Sequence, residues 1–503
     1  MYKPKIKKFI KNLNEPGENL FQRTVRSGFW VFSLRIVQQL FSLARLVILA
    51  RILAPHDFGL LGIALLTMAT LETFSQTGFQ AALIQKKEDI KSHLDAAWTV
   101  LILRGFILFV ILYLIAPYAA TFFNAPEAKP IIQVIGFAVL FQAFTNIGVI
   151  YFQKELEFNK QFIYQLSGTL ADFIIAISAA LILKSVWALV FGLLAGNAVR
   201  CFVSYLIHPY RPHLNLDLGK ARELFGFGKW VLGSSILIFL ITQGDDIFVG
   251  KLLGATALGF YQMAYRISNM PATEITHVIS QVTFPAYSKL QDNIPKLREA
   301  YLKVLQVTAF LSFPIAGLIF ILAPDFTKIF LGDKWMPMVP AMQVLVLWGL
   351  IRSIGATTGP IFQAVGRPKI LVKYQIFQLS VLIILVYPLT IHWGILGTSL
   401  TVLFAAIGAN ILAFYTVIKI TKCGIYNFLR MVGFHLISSS VAIVFIFLLP
   451  LYWITPNVLL IPFILSLLFY WLVYFGVIYL FDRFSTYKMQ PLIKEVFLTL
   501  RGL

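Results

Sequence analysis

The stretch MVGFHLISSSVAIVFIFLLPLYWITPNVLLIPFILSLLFYWLVYFGVIYLF, residues 431–481, decides the class of fold. It contains no Asp, Glu, Lys or Arg. A helix that crosses a membrane needs about 20 mainly apolar residues, so this stretch is long enough for two. It predicts spans at 431–449 and 458–481, and Pro450 and Pro456 mark the turn between them.

The rest of the chain has the same apolar character. The protein has 503 residues, of which 59% are hydrophobic and 13% are charged, and its mean hydropathy is +0.81. These values predict an all-α polytopic membrane protein with about 14 transmembrane helices. The other spans are predicted near 27–53, 58–84, 94–122, 131–153, 161–183, 186–207, 230–250, 257–287, 299–322, 336–365, 370–391 and 395–418.

An internal repeat relates the two halves of the chain. A shift of 200 residues places Gly28-Phe29-Trp30-Val31 on Gly228-Lys229-Trp230-Val231, and Gly59 on Gly259. Chance similarity of apolar helices is the alternative, but the repeated Trp and Gly positions argue against it. The repeat predicts two pseudo-symmetric six-helix lobes related by an axis along the membrane normal, with two further helices at the C-terminus.

The charge distribution predicts the orientation in the membrane. Most of the 42 Lys and Arg residues fall in the tails and in every second loop, so both termini are predicted to be cytoplasmic. This rule accounts for the net charge of +20 without nucleic acid binding. The predicted organisation is a basic cytoplasmic segment at 1–26, an N-lobe at 27–207, a cytoplasmic linker at 208–229, a C-lobe at 230–420, the last two spans at 421–481, and a cytoplasmic tail at 482–503.

Five arginines interrupt the apolar spans several turns away from the nearest loop: Arg35, Arg45, Arg104, Arg266 and Arg352. A cation at the centre of a spanning helix costs about 2.5–3.5 kcal/mol on insertion scales. Such residues usually face a water-filled cavity or bind a negatively charged group. The five arginines therefore predict a cavity for an anionic cargo.

One face of the first span carries four polar side chains. Arg35, Gln38, Ser42 and Arg45 recur at three- and four-residue spacing, which places them on one side of a helix. Two interpretations stay open: this face lines the cavity, or it forms a hydrogen-bonded seam against another helix.

Acidic residues also lie inside the predicted spans. Glu72, Asp172 and Glu274 either neutralise nearby arginines or take part in transport. Asp245 and Asp246 are adjacent, so their side chains point in different directions on a helix. One of the two is a candidate for binding a coupling proton or Na⁺, and a structural salt bridge is the alternative.

Aromatic residues near the span ends fit the aromatic belts of a membrane protein: Trp335, Tyr387, Trp393, Tyr452 and Trp453. Contact with glycans is the alternative role for them. Cys201 and Cys423 are predicted to form neither a disulfide nor a metal site.

The segment Leu49-Ala-Arg-Ile-Leu-Ala-Pro-His-Asp-Phe-Gly-Leu60 resembles the "ARxLxPxDFGL" signature of Wzx-type polysaccharide repeat-unit flippases. These proteins belong to the multidrug/oligosaccharidyl-lipid/polysaccharide exporter superfamily. The second half has a matching feature at Asp245–Gly254 and Leu258–Tyr261. The resemblance is closest to the branch that serves colanic acid and teichuronic acid, and it extends over nearly the whole chain.

The resemblance implies a cargo, a mechanism and a location. The cargo would be an undecaprenyl-diphosphate-linked oligosaccharide that crosses to the outer leaflet of the bacterial inner membrane by alternating access around a cationic cavity. A polysaccharide polymerase and chain-length machinery would be partners, membrane lipid would surround the protein, and no cofactor beyond a coupling H⁺ or Na⁺ is expected. The candidate substrate-binding residues are Arg35, Gln38, Ser42, Arg45, Arg104, Arg266 and Arg352, with Arg35 and Arg45 assigned to the diphosphate or to acidic sugars.

Other functions fit the sequence less well. A membrane glycosyltransferase or polymerase needs catalytic residues on a sizeable outer loop, and the predicted outer loops are short. The sequence has no P-loop, HExxH motif or Cys/His cluster for ATP or metal chemistry. A drug/cation antiporter of the same superfamily would favour acidic residues in its cavity. A peptidoglycan-precursor flippase fits the helix number equally well.

Overall fold

The computed structural model describes residues 20–79, 82–83, 90–155, 157–215, 217–448 and 460–484. All regular structure in these residues is helical. In chain order the helices are α1 (Leu20–Ile52), α2 (Pro55–Phe74), α3 (Lys91–Phe122), α4 (Ala128–Phe144), α5 (Ile150–Lys154), α6 (Phe158–Leu183), α7 (Trp187–Ile207), α8 (Leu218–Leu290), α9 (Ile294–Phe326), α10 (Val339–Gly355), α11 (Gly359–Ala364), α12 (Lys369–Thr421), α13 (Ile425–Leu448) and α14 (Leu460–Phe484). The predictions for 1–19, Pro450, Tyr452, Trp453, Pro456 and 485–503 lie outside the described residues.

The helices agree with the predicted membrane class. Ten helices in the described residues are long and apolar enough to cross a membrane, or 11 when the bent pair Ala128–Phe144 and Ile147–Lys154 is counted as one span. The number is lower than the number of predicted spans because α12 covers two of them and is counted once, and α8, which covers two more, is not among the ten. The prediction of an all-α polytopic membrane protein is confirmed.

Glycine breaks divide the two longest helices. The backbone φ angle is 84° at Gly254 in α8 and 58° at Gly394 in α12. Both angles lie in the left-handed region, which glycine enters without the steric penalty of a Cβ atom. Each break separates two predicted spans, so the turn between them needs only one residue with a special conformation.

The repeat has a structural counterpart around Gly254. A Cβ atom built on Gly59 would overlap the carbonyl oxygen of Ala255, and one built on Gly259 would overlap the carbonyl oxygen of Pro55. The two contacts are equivalent in the repeat, because Gly59 and Gly259 are 200 residues apart, and so are Pro55 and Ala255. The two glycines therefore make equivalent close contacts within the compact unit that contains both of them.

The chain divides into two compact units, each of which packs mainly within itself. The first unit runs to Gln243 and includes Gly254–Gly259, and the second contains Gly244–Leu253 and continues from Phe260. The division falls inside α8, later than the linker predicted at 208–229. The first part of α8 packs with the first unit, as the edge-to-face pair of Phe74 and Phe239 illustrates, with 6.3 Å between ring centroids.

The belt prediction is wrong for one of its aromatic residues. Trp335 is fully buried and packs edge-to-face against Phe260 at 5.9 Å between ring centroids. It belongs to the 3₁₀ segment Asp333–Met338, which precedes α10 and turns the indole inward. Tyr387 and Trp393 are exposed, in agreement with the prediction.

Candidate functional site

The first unit contains a cavity with a volume of about 620 Å³. Residues of α2, α3, α4 and α6 line it, together with residues 145–149, the elbow that follows α4. Its polar lining consists of Glu72, Thr73, Gln76, Thr77, Arg104, Gln142, Thr145, Asn146 and Tyr164. Two of the predicted site residues, Glu72 and Arg104, are thus brought together.

Arg104 is held against the C-terminal end of α2. Its Nε donates to the carbonyl oxygen of Ser75 at 2.9 Å and to the Ser75 hydroxyl at 3.1 Å. Its Nη2 donates to the carbonyl oxygen of Glu72 at 2.9 Å. The last carbonyls of a helix have no intrahelical donor. Arg104 therefore caps α2, a role that was not predicted from the sequence.

The charges in the lining balance. Glu72 and Arg104 are the only ionisable acidic and basic side chains among the described residues that line the cavity. The rest of the polar lining consists of amides and hydroxyls. The lining formed by the described residues is therefore not cationic.

Two residues of the polar face of α1 contact α6. Arg45 Nη2 lies 3.0 Å from Asp172 Oδ1, and the two side chains are 16% and 26% exposed. Gln38 Nε2 donates to the hydroxyl of Thr169 at 3.5 Å. Gln38 and Arg45 thus form a seam between two helices, which is one of the two interpretations of this face. Asp172 is the acidic partner of Arg45. Arg35 lies on the same helix and is partly buried.

Aromatic pairs flank this seam. Trp30 packs on Phe162 with 5.2 Å between ring centroids, and Phe41 packs on Phe173 with 5.1 Å. Both pairs meet edge to face, an arrangement that aromatic rings favour. The pairs fix the register of α1 against α6.

A hydrogen-bonded elbow forms one wall of the cavity. The side-chain oxygen of Asn146 accepts from Gly148 N–H at 2.8 Å, and its Nδ2 donates to the carbonyl oxygen of Tyr210 at 2.6 Å. The backbone N–H of Asn146 donates to the Ser204 hydroxyl at 2.9 Å. Asn146 thereby ties the elbow to α7 and to the segment that follows it.

The segment 208–215 after α7 forms a strap across the start of α3. The Tyr210 hydroxyl donates to Asp95 Oδ1 at 2.6 Å, and His213 N–H donates to the same oxygen at 2.9 Å. Burial and this contact with Asp95 raise the pKa of Tyr210. The strap was not predicted, since these residues have the composition of a linker.

His208 is the titratable residue at the start of the strap. Its ring stacks on Tyr151 at 5.6 Å between centroids, and its Nδ1 accepts from Tyr210 N–H at 3.2 Å. Burial lowers the pKa of His208, and the positive charge of Lys160 adds to the effect. The neutral imidazole is therefore the form that this geometry stabilises.

In the second unit, two buried carboxylates lie next to the Gly254 break. Asp245 accepts from the Tyr261 hydroxyl at 2.5 Å, and Asp246 accepts from Gln262 Nε2 at 3.2 Å. The Oδ1 atom of each has no hydrogen-bond partner among the described residues. No basic side chain in the described part of the chain forms an ion pair with either carboxylate. The described residues thus do not contain the salt bridge that was the alternative interpretation of Asp245 and Asp246.

The remaining predicted residues lie on α8 and α10. Arg352 Nη2 donates to the Thr273 hydroxyl at 3.3 Å, and its guanidinium lies 5.5 Å from the centre of the Trp348 ring. Arg266 is exposed and Glu274 is partly buried, both on α8 after the break.

Comparison with known proteins identifies the family. The family described as "Polysaccharide biosynthesis protein" matches residues 48–340, which is more than half of the chain. The chain belongs to this family. The resemblance that the segment from Leu49 to Leu60 indicated is confirmed.

Two curated relatives support the same assignment. This polysaccharide biosynthesis protein is 28% identical to the lipopolysaccharide biosynthesis protein WzxC of Escherichia coli (strain K12) over 403 residues, which are 80% of this chain and 82% of that protein. It is 27% identical to the teichuronic acid biosynthesis protein TuaB of Bacillus subtilis (strain 168) over 293 residues, 58% of this chain and 60% of that protein.

A solved structure supports the fold. The lipid II flippase MurJ superposes with a TM-score of 0.72 at 16% sequence identity, and the match covers 91% of this chain and 99% of that one. The polysaccharide biosynthesis protein therefore has a fold like that of MurJ. Its long apolar helices make it a multi-pass membrane protein.

Proposed function

We propose that this protein translocates undecaprenyl-diphosphate-linked oligosaccharide repeat units from the cytoplasmic to the outer leaflet, by alternating access. The observation that carries the proposal is the family match over residues 48–340 in a chain with the fold of a lipid flippase. The deep arginines support an anionic cargo, because a charge at that depth is costly unless it has a function or a partner.

The arginines divide into two groups in this proposal. Arg45 and Arg104 are engaged by Asp172 and by the end of α2, so they shape the first unit. Arg35, Arg266 and Arg352 also have contacts within the protein, and they are the candidates that we propose for contact with the diphosphate or with acidic sugars. A guanidinium suits this role because it stays charged and can pair with a phosphate through two N–H groups.

Coupling to a proton or Na⁺ is assigned to Asp245 and Asp246. Both carboxylates are buried, and each keeps one oxygen without a hydrogen-bond partner in the described residues. A buried carboxylate that lacks a cationic partner favours either protonation or a bound cation. Asp245→Asn and Asp246→Asn should remove the dependence of transport on an imposed ion gradient, and transport that stays fully gradient-dependent would contradict the assignment.

The charge pattern supports a cytoplasmic location of both termini. The direction follows from the proposed cargo, which would be loaded where repeat units are assembled and released where they are polymerised. A polymerase and its chain-length machinery then consume the product at the outer face of the bacterial inner membrane.

The second candidate function is translocation of a peptidoglycan precursor. The likeness to the lipid II flippase favours this second candidate over a drug/cation antiporter. At 16% identity, however, the likeness extends to the fold alone. Membership of the polysaccharide biosynthesis family favours the repeat unit as cargo.

Depletion of the protein in its host tests the proposal. The lipid-linked glycan pool is extracted, and an impermeant sugar-specific probe reports which leaflet holds it. Inner-leaflet repeat units should accumulate while surface polymer is lost. An unchanged pool would reject the proposal, accumulation of lipid II would support the second candidate, and single units in the outer leaflet would indicate a polymerase.

A further inference from the structure

We propose that the 620 Å³ cavity of the first unit is a glycan-binding site that takes the neutral, hydroxyl-rich part of the cargo and not its diphosphate. This inference rests on the proposed function and specifies which part of the cargo this cavity recognises. The charge, the hydrogen-bonding groups, the volume and the rigidity of the cavity support it.

The charge of the lining does not suit a diphosphate. Arg104 directs Nε and Nη2 to the carbonyl oxygens of Ser75 and Glu72, so half of its fork is already used. The Glu72 carboxylate also lines the cavity, and it offsets the charge of Arg104, the one Lys or Arg among the described residues of the lining. A diphosphate placed here would lose its hydration without gaining a net positive environment, which is costly.

The uncharged lining suits hydroxyl groups. Gln76 offers an amide group that both donates and accepts, and Thr77 adds a hydroxyl. Gln142 Nε2 donates to Asn197 Oδ1 at 3.4 Å, which leaves its side-chain oxygen and its second N–H for a ligand. Sugar hydroxyls also donate and accept, so they can satisfy these groups in either direction. Phe79 and Tyr164 contribute ring surface on which the apolar face of a sugar ring can pack.

The volume fits a short oligosaccharide. Small-molecule sites usually have volumes of about 300–1,000 Å³, and 620 Å³ falls within this range. An empty space of this size with a polar lining would be filled with water, since one water occupies about 30 Å³ of liquid. The hydroxyls of a bound glycan would replace the hydrogen bonds of those waters.

One wall of the cavity is rigid. Asn146 lines the cavity; two of its hydrogen bonds hold the elbow to α7 and to the strap, and a third lies within the elbow. Arg104, another lining residue, fixes the end of α2. Polar groups on a fixed backbone lose little entropy when they bind, so the site is pre-organised for its ligand.

Replacement of two cavity amides tests the site. The full-length protein in nanodiscs carries Gln76→Met and Gln142→Met, which keep a similar length and remove the hydrogen-bonding groups. The control is Gln133→Met, on the same helix as Gln142 but outside the cavity lining. Each single variant is measured as well, so that the test remains informative if the double variant does not fold.

Three probes separate the parts of the cargo: the lipid-linked glycan extracted from cells depleted of this protein, the same glycan released by mild acid, and undecaprenyl diphosphate alone. We expect the double variant to bind the first two about tenfold or more weakly and to bind the third as wild type does. Gln133→Met should bind all three unchanged.

The outcomes distinguish this inference from the proposed function. Equal affinity of the wild type for undecaprenyl diphosphate and for the lipid-linked glycan would overturn the glycan site and leave the flippase proposal standing. The same conclusion follows if the cavity variants match Gln133→Met, or if they weaken undecaprenyl diphosphate equally. A wild-type protein that does not bind the lipid-linked glycan would overturn both.

Discussion

Tyr474 donates a 3.1 Å hydrogen bond to the carbonyl oxygen of Phe310, the carbonyl that Pro314 leaves without its usual donor. In an α-helix this oxygen would accept from the N–H four residues later, and proline has none. Tyr474 lies on α14 and Phe310 on α9. The last helix thus satisfies a backbone group that the proline exposes within an apolar segment.

A second contact strengthens this connection. The Ser439 hydroxyl of α13 lies 2.7 Å from the Tyr470 hydroxyl and donates to the carbonyl oxygen of Phe313 at 3.2 Å. His435 Nδ1 lies 2.9 Å from the Tyr474 hydroxyl. The side chains of this network are buried. The two helices outside the repeat therefore brace α9 at its proline, a role that the sequence left undefined.

Removal of the Tyr474 hydroxyl should destabilise the protein. Tyr474→Phe leaves the Phe310 carbonyl and His435 without this partner, and an unsatisfied buried polar group costs about 1–3 kcal/mol. Thermal unfolding of the purified protein measures the effect. Tyr479→Phe, on the exposed face of the same helix, is the matched control. Equal melting temperatures for the two variants would contradict the bracing role.

Loss of one partner of the Arg45–Asp172 ion pair should destabilise the protein more than loss of both partners. Loss of one member leaves the charge of the other uncompensated, which costs about 3–5 kcal/mol in a fully buried pair and less in this partly buried one. Arg45→Met and Asp172→Leu should each lower the melting temperature more than the double variant does. Additive effects in this double-mutant cycle would show that the two side chains do not interact.

A lysine should not replace Arg104. One ammonium group cannot reproduce the planar fork that bonds the Ser75 and Glu72 carbonyls together. Arg104→Lys should increase hydrogen exchange in the last turn of α2, and the local loss should be about 1–3 kcal/mol. Arg367→Lys, at an exposed position, serves as the control. Unchanged exchange at the end of α2 would contradict the capping role.

The class of fold could be predicted because it depends on local composition. A run of apolar residues such as 431–481 predicts a spanning helix whatever surrounds it. Gly59 and Gly259 revealed the repeat because a close helix contact requires glycine at both equivalent positions. The division inside α8 could not be predicted, since it depends on the packing of its first part, such as that of Phe239 on Phe74.

The partners in the site depend on chain geometry that the sequence pattern does not contain. Arg104 was recognised by its depth, but its acceptors are backbone carbonyls, which no residue type signals. Tyr261 follows Asp245 by 16 residues, a separation of about 24 Å along an unbroken helix at ~1.5 Å per residue. Only the break at Gly254 brings the two side chains together.

The strap should loosen in acid because of His208. The folded protein has a lowered pKa at His208, so the open form takes up the proton more readily. Neutral His208 therefore stabilises the closed strap fully above the unperturbed pKa of about 6.5. This stabilisation declines as the pH falls below that value. Hydrogen exchange over 208–215, corrected for intrinsic rates, should rise between pH 7.5 and 5.5. His208→Phe keeps the stacking on Tyr151 and should remove most of this pH dependence; a wild-type rise that persists in the variant would assign it to another group.

A methyl group at either repeat glycine should have the same effect. Gly59→Ala places a Cβ in the carbonyl of Ala255, and Gly259→Ala places one in the carbonyl of Pro55, so the backbones must move apart. Overpacking of this kind costs about 1–3 kcal/mol. Gly244→Ala is the control with the opposite sign, because nothing lies within 4 Å of its new methyl group and alanine favours a helix over glycine by up to about 1 kcal/mol. Thermal unfolding should therefore show two destabilised variants and one that is unchanged or more stable. A large difference between Gly59→Ala and Gly259→Ala would contradict the equivalence of the two glycine contacts.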